Sequence, residues 1–168
     1  NDGAGSLCTR FVSSSAGVRM SEHAGVRMRL EQYCPGTAVS VSALCGTPGP
    51  VLLPACRQRV SQDGQLRYLG GELPIRQAEA DRASQLARRT LSALPFTLGY
   101  VGIDMILGSD PSGQDDRVLE VNPRLTTSYV GLRRLAQSNL AEAMLSIAQG
   151  NTHSLCFRTG RVQFDSEG

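Results

Sequence analysis

Lysine and tryptophan are absent from this 168-residue sequence. All 17 basic residues are therefore arginines, set against 15 acidic residues, and the formal net charge is +2. We attribute the missing lysine to the base composition of the genome. Any reaction step that needs a lysine ammonium would require a lysine from outside this sequence. Because the arginines are spread along the chain, nucleic-acid binding is not favoured.

Long apolar runs are also missing. No run approaches the roughly 20 residues that cross a bilayer, so no membrane association is expected. The five cysteines are scattered, at 8, 34, 45, 56 and 156, and no pair has Cys-x-x-Cys spacing. We interpret them as reduced thiols of a cytoplasmic protein rather than zinc ligands. A chain of this length can bury one moderate core, which predicts one domain with room for two lobes.

Three polar residues, Glu120, Asn122 and Arg124, alternate at the end of the apolar segment 117–121. In an extended chain they project from one face within about 13–14 Å. Pro123 removes a ladder donor and indicates that the strand ends there. A carboxylate, an amide and a guanidinium on one face can hold a divalent cation with its anions. The alternative is a strand-end salt bridge with a capping amide.

Asp104 is the one charge in the apolar strand predicted over 98–107. A buried carboxylate needs a cation, an arginine or strong donors as its partner. The turn-rich loop 108–116 joins this strand to the next, which predicts a hairpin that brings Asp104 near Glu120 and Asn122. Oxygen ligands from two neighbouring strands suit magnesium. A simple pairing of Asp104 with Arg124 is the alternative.

The rest of the chain predicts an α+β fold with antiparallel sheets flanked by helices. Alternating and β-branched residues favour an antiparallel meander over 30–69. Apolar stripes at helical spacing predict helices, and Asn139 with Glu142 resembles a capping box. The predicted strands are 37–44, 51–53, 57–60, 65–69, 98–107, 117–121, 155–158 and 162–164, and the helices are 78–94, 129–137 and 140–149.

Two further segments are candidates for nucleotide contacts. The small residues Gly3, Ala4, Gly5 and Ser6 allow backbone amides to approach a phosphate, although a frayed terminus has the same composition. Residues 29–36 predict a strand that runs into a Pro-Gly turn.

Several polar side chains have two possible roles. Arg57 and Arg59 belong either to a solvated hairpin face or to a phosphate site. Thr126, Thr127 and Ser128 form either a helix N-cap cluster or a substrate contact.

Taken in order, these motifs resemble the ATP-grasp superfamily. The motifs are Asp2 to Ser6, Leu30 to Gly36, Gly102 to Asp104, and Glu120 to Arg124. The run from Asn122 to Tyr129 looks most like the branch of tyramine–glutamate ligase-like carboxylate–amine ligases. The resemblance covers roughly residues 1–150 and only the latter part of a complete ATP-grasp fold, with the N-terminal portion missing. It implies a partial ATP-grasp domain over 1–150, made of a glycine loop, hinge strand and meander (1–72) and of helices plus a metal-binding hairpin (73–150), followed by a C-terminal tail (151–168).

The resemblance also implies cofactors. ATP would lie between two lobes, with magnesium or manganese bridging its phosphates. The glycine loop would close over the phosphates and the hinge backbone would meet the adenine. The cofactor-binding residues implied are Gly3, Ala4, Gly5, Ser6, Glu31, Gln32, Tyr33 and Cys34, and the metal ligands implied are Asp104, Glu120 and Asn122.

The implied reaction is ATP-dependent ligation of a small-molecule carboxylate to an amine through an acyl phosphate. Arg124 would stabilise the acyl phosphate or the tetrahedral intermediate as the catalytic residue. Two departures stand against this expectation: the family's phosphate-binding lysines have no counterpart here, and Ala38 stands where an acidic residue often meets the ribose. A non-catalytic nucleotide-binding or regulatory remnant is therefore the alternative, and this chain alone is expected to be inactive. A homodimer is compatible with either reading.

Overall fold

The protein was analysed as a computed structural model, which describes residue 9, residues 11–13 and residues 29–166. These residues form seven strands and three α-helices. The strands are β1 (Thr37–Cys45), β2 (Val51–Leu52), β3 (Cys56–Val60), β4 (Tyr68–Leu73), β5 (Gly99–Leu107), β6 (Arg117–Asn122) and β7 (Val162–Asp165). The helices are α1 (Gln77–Ala93), α2 (Ser128–Leu135) and α3 (Leu140–Ala148).

All seven strands belong to one sheet with the order β6-β5-β1-β3-β4-β7, and β2 pairs with β1 outside this path. Every pairing is antiparallel. The α+β class and the meander β1-β3-β4 agree with the sequence prediction. The register of β1 with β5 runs without a break from Thr37 opposite Leu107 to Cys45 opposite Gly99. Strand β1 therefore joins the meander to the β5–β6 hairpin.

The sheet has an apolar core on each face. Helix α1 covers one face, where Val39, Val41, Ile103 and Met105 are fully buried against Ala83 and its neighbours. Helices α2 and α3 cover part of the other face, around Leu44, Tyr100, Leu132, Ile147 and Phe164. Because side chains alternate along β1 and β5, the polar residues Ser40, Ser42 and Asp104 share this second face.

Three sequence predictions of local structure were wrong. Residues 29–35 form no strand, because this mostly exposed segment has no ladder partner among the described residues. Strand β4 does not stop at the glycine pair but runs through it to Leu73. A Cβ atom on Gly71 would lie 2.7 Å from Cys56 Sγ and 2.8 Å from Phe164 Cζ, so this strand interior needs glycine for close packing. Residues 155–158 form only an isolated bridge, between Phe157 and Ala136.

The predicted helices are present with small shifts at their ends. The end of α2 comes two residues early because Ala136 turns into extended backbone and pairs with Phe157. The predicted cap of α3 is confirmed, since the Asn139 side chain accepts bonds from the amides of Ala141 and Glu142. Among the described residues, none of the helices combines the length and the apolar character that a bilayer span requires.

Candidate functional site

The β5–β6 hairpin brings the predicted metal ligands together. Its register places Asp104 opposite Glu120 and Gly102 opposite Asn122. A bulge follows at once, because the next pair is Met105 with Val118 and Leu119 is left without a partner. Such a bulge re-aims the neighbouring side chains. The three polar groups thus gather where β6 ends.

The side chains of this cluster bond to one another. Asn122 Nδ2 donates to Asp104 Oδ2 and to Glu120 Oε2, both at 3.2 Å. Gln58 Nε2, from β3, donates to Asp104 Oδ1 at 2.8 Å. Burial, and next the charge of Glu120, raise the pKa of Asp104 to about 6, while the Gln58 bond and the charge of Arg124 oppose this rise. Within the described residues, amide donors therefore hold the two carboxylates close together.

This donor set fits a divalent cation that prefers oxygen. No group of three or more His, Cys, Asp or Glu side chains suited to a metal occurs in the described part of the chain. The cluster instead offers two carboxylates and one amide, and magnesium needs few protein carboxylates when phosphates complete its shell. The Asn122 amide now donates between the two carboxylates, and its rotation would present the carbonyl oxygen instead. Asp104, Glu120 and Asn122 would therefore hold the ion and relieve the repulsion between the carboxylates.

Arg124 lies next to the cluster but forms no ion pair within the described residues. Its backbone amide donates to the Asn122 carbonyl at 2.8 Å, and its side chain is exposed, with Nη1 3.3 Å from the Leu125 carbonyl. Its charge still acts on the pKa of Asp104. The partners of Asp104 are amides, so the alternative of a simple Asp104–Arg124 pair is wrong.

A cluster of buried hydroxyls anchors the loop that carries Arg124. Tyr100 Oη donates to Ser42 Oγ at 2.6 Å, and Ser128 Oγ lies 2.8 Å from Thr126 Oγ1 and 3.3 Å from Ser42 Oγ. Below the loop, a Cβ on Gly102 would lie 2.5 Å from Thr126 Cγ2. Thr126 and Ser128 therefore tie the loop to the sheet. The predicted N-cap cluster is not formed, because Thr127 occupies the N-cap of α2 without a side-chain bond.

Both arginines of β3 are engaged inside the molecule. Arg57 Nη2 bonds Glu79 Oε2 of α1 at 2.7 Å, with Glu72 also in range at 3.8 Å. Arg59 Nη2 bonds Asp165 and the carbonyls of Leu69 and Phe164. Both side chains are 33% exposed and line the groove described below, but in this conformation their guanidinium groups are paired with carboxylates of the protein.

Gln58 lies between these arginines and was missed at the sequence level. It shares a face with Cys56 because it stands two positions further along β3. The alternation of β3 could have shown that face, but not the partner across the sheet.

The predicted adenine-binding segment borders a groove. Tyr33 packs edge to face on Phe11, with ring centroids 5.0 Å apart, and the Phe11 amide donates to the Gly64 carbonyl at 2.6 Å. The groove has a volume of about 630 Å³, and its wall includes Ala38 and Gln58. Gln58, which lines this groove, also bonds Asp104 and so connects the groove to the carboxylate cluster.

The other predicted nucleotide contacts are less well placed. Glu31 is exposed and pairs with Arg29 at 3.1 Å, and Cys34 Sγ lies 3.9 Å from the Gln32 carbonyl. Neither Glu31, Gln32 nor Cys34 lines the groove. The glycine-loop residues Gly3, Ala4, Gly5 and Ser6 lie outside the described residues.

Comparison with known proteins agrees with this architecture. A family model described as an ATP-grasp domain matches residues 1–128. Two curated relatives, the tyramine–L-glutamate ligases of Methanocaldococcus fervens and Methanocaldococcus jannaschii, are each 29% identical over 136 residues. The match covers 80% of this chain but only 42% and 40% of those proteins, so the chain spans about two-fifths of their length.

Solved structures show the same fold. An ATP-grasp superfamily protein from Archaeoglobus fulgidus matches with a TM-score of 0.58 and 24% identity, over 70% of this chain and 36% of that one. N5-carboxyaminoimidazole synthetase from Staphylococcus aureus complexed with ADP matches with a TM-score of 0.62 and 14% identity, over 76% and 34%. The corresponding synthase of Aspergillus clavatus complexed with ATP matches with a TM-score of 0.58 and 16% identity, over 70% and 30%.

Proposed function

We propose, because the chain belongs to the ATP-grasp family, that the full-length protein is an ATP- and magnesium-dependent carboxylate–amine ligase. The observation that carries this proposal is the cluster of Asp104, Glu120 and Asn122 where β6 ends. An ATP-dependent ligase has to neutralise the phosphates of ATP, and two carboxylates that hold magnesium do this.

The groove beside Tyr33 supports the placement of the nucleotide. Tyr33 and Phe11 would offer aromatic surface to the base, and Gln58, which lines the groove, bonds the Asp104 carboxylate. The phosphates would then point toward Asp104 and Glu120. We also propose that the backbone around Glu31 to Cys34 meets the adenine edge, and that the loop from Gly3 to Ser6 covers the phosphates.

The reaction follows from this arrangement. The substrate carboxylate oxygen attacks the γ-phosphorus of ATP, ADP leaves, and an acyl phosphate forms. The amine nitrogen then attacks the acyl carbon, inorganic phosphate leaves, and the amine loses a proton to give the amide. Bound magnesium would supply charge neutralisation on the phosphates. The exposed guanidinium of Arg124 would stabilise the negative charge that develops on the acyl oxygens.

The names of the curated relatives suggest the first substrates to test. A tyramine–L-glutamate ligase joins an amine to an amino acid, so L-glutamate and tyramine are a chemically suitable pair. We propose a carboxylate–amine pair of this kind. We further assign residues 1–150 to a partial ATP-grasp domain and 151–168 to a C-terminal tail whose strand β7 joins the sheet. A cytoplasmic location is consistent with the free thiols of Cys34, Cys45, Cys56 and Cys156.

Calorimetry and phosphate release test the proposal. The full-length protein should bind ATP in a magnesium-dependent manner and release phosphate when both substrates are present. Glu120→Gln should abolish turnover and weaken magnesium-dependent binding, because it removes one of the two carboxylates. Glu142→Gln, the same exchange at an exposed position of α3, should leave both unchanged. Absence of magnesium-dependent ATP binding would refute the proposal.

The absence of lysine from this chain favours a second candidate, a nucleotide-binding or regulatory ATP-grasp protein without turnover. Without a lysine ammonium, the positive charge facing the phosphates would have to come from arginine and the metal. Magnesium-dependent ATP binding with no phosphate release across a panel of amino acids and amines would favour this candidate.

A further inference from the structure

Gln58 and Asp104 meet across an intervening strand. Gln58 lies on β3 and Asp104 on β5, and β1 separates these two strands in the sheet. On this face β1 presents Ser40, which pairs with both Asp104 and Cys56, and Ala38, one of the groove residues. These small side chains leave room for the Gln58 amide to pass over β1 and reach the Asp104 carboxylate at 2.8 Å.

The two oxygens of Asp104 therefore have different surroundings. Oδ1 accepts the Gln58 bond, whereas Oδ2 lies on the side of Asn122, which also bonds Glu120. A cation between Asp104 and Glu120 would thus meet Oδ2, while Oδ1 stays engaged by an amide from the far side of β1.

We infer that Gln58 is a positioning residue that limits Asp104 to one coordinating oxygen and so favours magnesium over calcium. This inference rests on the proposed role of Asp104 as a metal ligand. Magnesium takes six ligands in a compact octahedron, usually with single oxygens from carboxylates. Calcium takes six to eight ligands and readily accepts both oxygens of one carboxylate. When the Asn122 amide rotates to present its carbonyl oxygen, Oδ2 becomes free while Oδ1 keeps its bond from Gln58. A carboxylate with one free oxygen suits magnesium better than calcium.

Replacing Gln58 separates this role from a role in folding. Gln58→Met keeps a side chain of similar length without the donor, and Gln58→Asn keeps the amide on a shorter stem that cannot span β1. Both variants free Asp104 Oδ1. Gln85→Met is the matched control, since it makes the same exchange at an exposed position of α1.

Binding of Mn²⁺, followed by its electron paramagnetic resonance signal, reports cation affinity without turnover. Mg²⁺ and Ca²⁺ are titrated separately as competitors, in the absence of nucleotide because ATP itself binds these ions. We expect both Gln58 variants to shift the affinity ratio by about tenfold toward Ca²⁺, since the bond removed is one to a charged group. The Gln85→Met protein should keep the original ratio. Circular dichroism checks that each variant is folded.

The outcomes distinguish this inference from the function on which it rests. If the unmodified full-length protein binds no Mn²⁺ without nucleotide, Asp104 and Glu120 do not hold a cation by themselves and the inference about Gln58 is overturned, whereas the proposed function is decided separately by magnesium-dependent ATP binding. If it binds Mn²⁺ but either folded Gln58 variant keeps the original Mg²⁺ to Ca²⁺ ratio, the inference about Gln58 is wrong and the metal site stands.

Discussion

Asp104→Asn should make the cation-free protein more stable at neutral pH although it removes a proposed metal ligand. Burial and the charge of Glu120 raise the pKa of Asp104 from 3.8 to about 6. One pKa unit corresponds to about 1.36 kcal/mol, so the ionised carboxylate costs the folded state about 3 kcal/mol. The asparagine in Asp104→Asn has one oxygen where aspartate has two, so it can keep the bond from Gln58 or the bond from Asn122 but not both. Losing one hydrogen bond costs about 1 kcal/mol of stability. The net gain expected at pH 7.5 is about 2 kcal/mol.

The pH dependence gives the sign of the effect. A carboxyl whose pKa is higher in the folded state binds its proton more tightly there, so its contribution favours folding at low pH. This contribution is lost as the pH rises from about 4 to about 6 and stays lost above that range. Asp104→Asn should therefore stabilise the protein at pH 7.5 but not at pH 4.

Urea denaturation with a chelator present measures the free energy of unfolding of each protein at pH 4 and at pH 7.5. Asp115→Asn, at an exposed position in the same hairpin loop, is the control. Its stability should differ only slightly from that of the unmodified protein, and by the same amount at both pH values. Added Mg²⁺ should stabilise the unmodified protein and leave Asp104→Asn unchanged. The prediction is refuted if Asp104→Asn is less stable than the unmodified protein at pH 7.5, or if the two proteins differ in stability by the same amount at both pH values.

Three further changes test how the site is supported. Arg82→Ala should destabilise the protein by about 3 kcal/mol or more in urea denaturation, because it leaves the nearly buried Asp116 carboxylate without its guanidinium partner; an effect below 1 kcal/mol would contradict this. Gly102→Ala should cost about 1–3 kcal/mol and weaken Mn²⁺ binding, since the added methyl meets Thr126; unchanged binding would show that the loop does not position the ligands. Ser128→Ala should cost about 1 kcal/mol in a thermal melt for its lost hydroxyl bonds, and no loss would argue against the anchor.

Much of the candidate site was predictable from local pattern. The alternation of Glu120, Asn122 and Arg124, with Pro123 inside the triplet, predicted one polar face at a strand end. Two apolar strands joined by a turn-rich loop predicted the hairpin, and this pairing is what brings Asp104 to Glu120. These inferences succeeded because strand alternation and hairpin formation depend on residues close together in the chain.

Contacts between distant segments were not predictable. The close packing around Gly71 and the hydroxyl bonds of Ser42 with Tyr100 both depend on which strands become neighbours. The prediction for Arg57 illustrates the limit. Its place on β3 could be read from the pattern, but its partner Glu79 lies on a helix 22 residues away.

The sequence by itself determined the antiparallel α+β class and a polar triad at the end of a strand, because periodicity and turn residues act locally. Only the tertiary structure decided the partners of that triad. Insertion of β1 between β3 and β5 set the distance that the Gln58 amide spans to reach Asp104. Burial in that arrangement, with Glu120 alongside, then raised the pKa of Asp104. Both effects arise from the order of strands in the sheet, which hydrophobic burial selects over the whole chain at once.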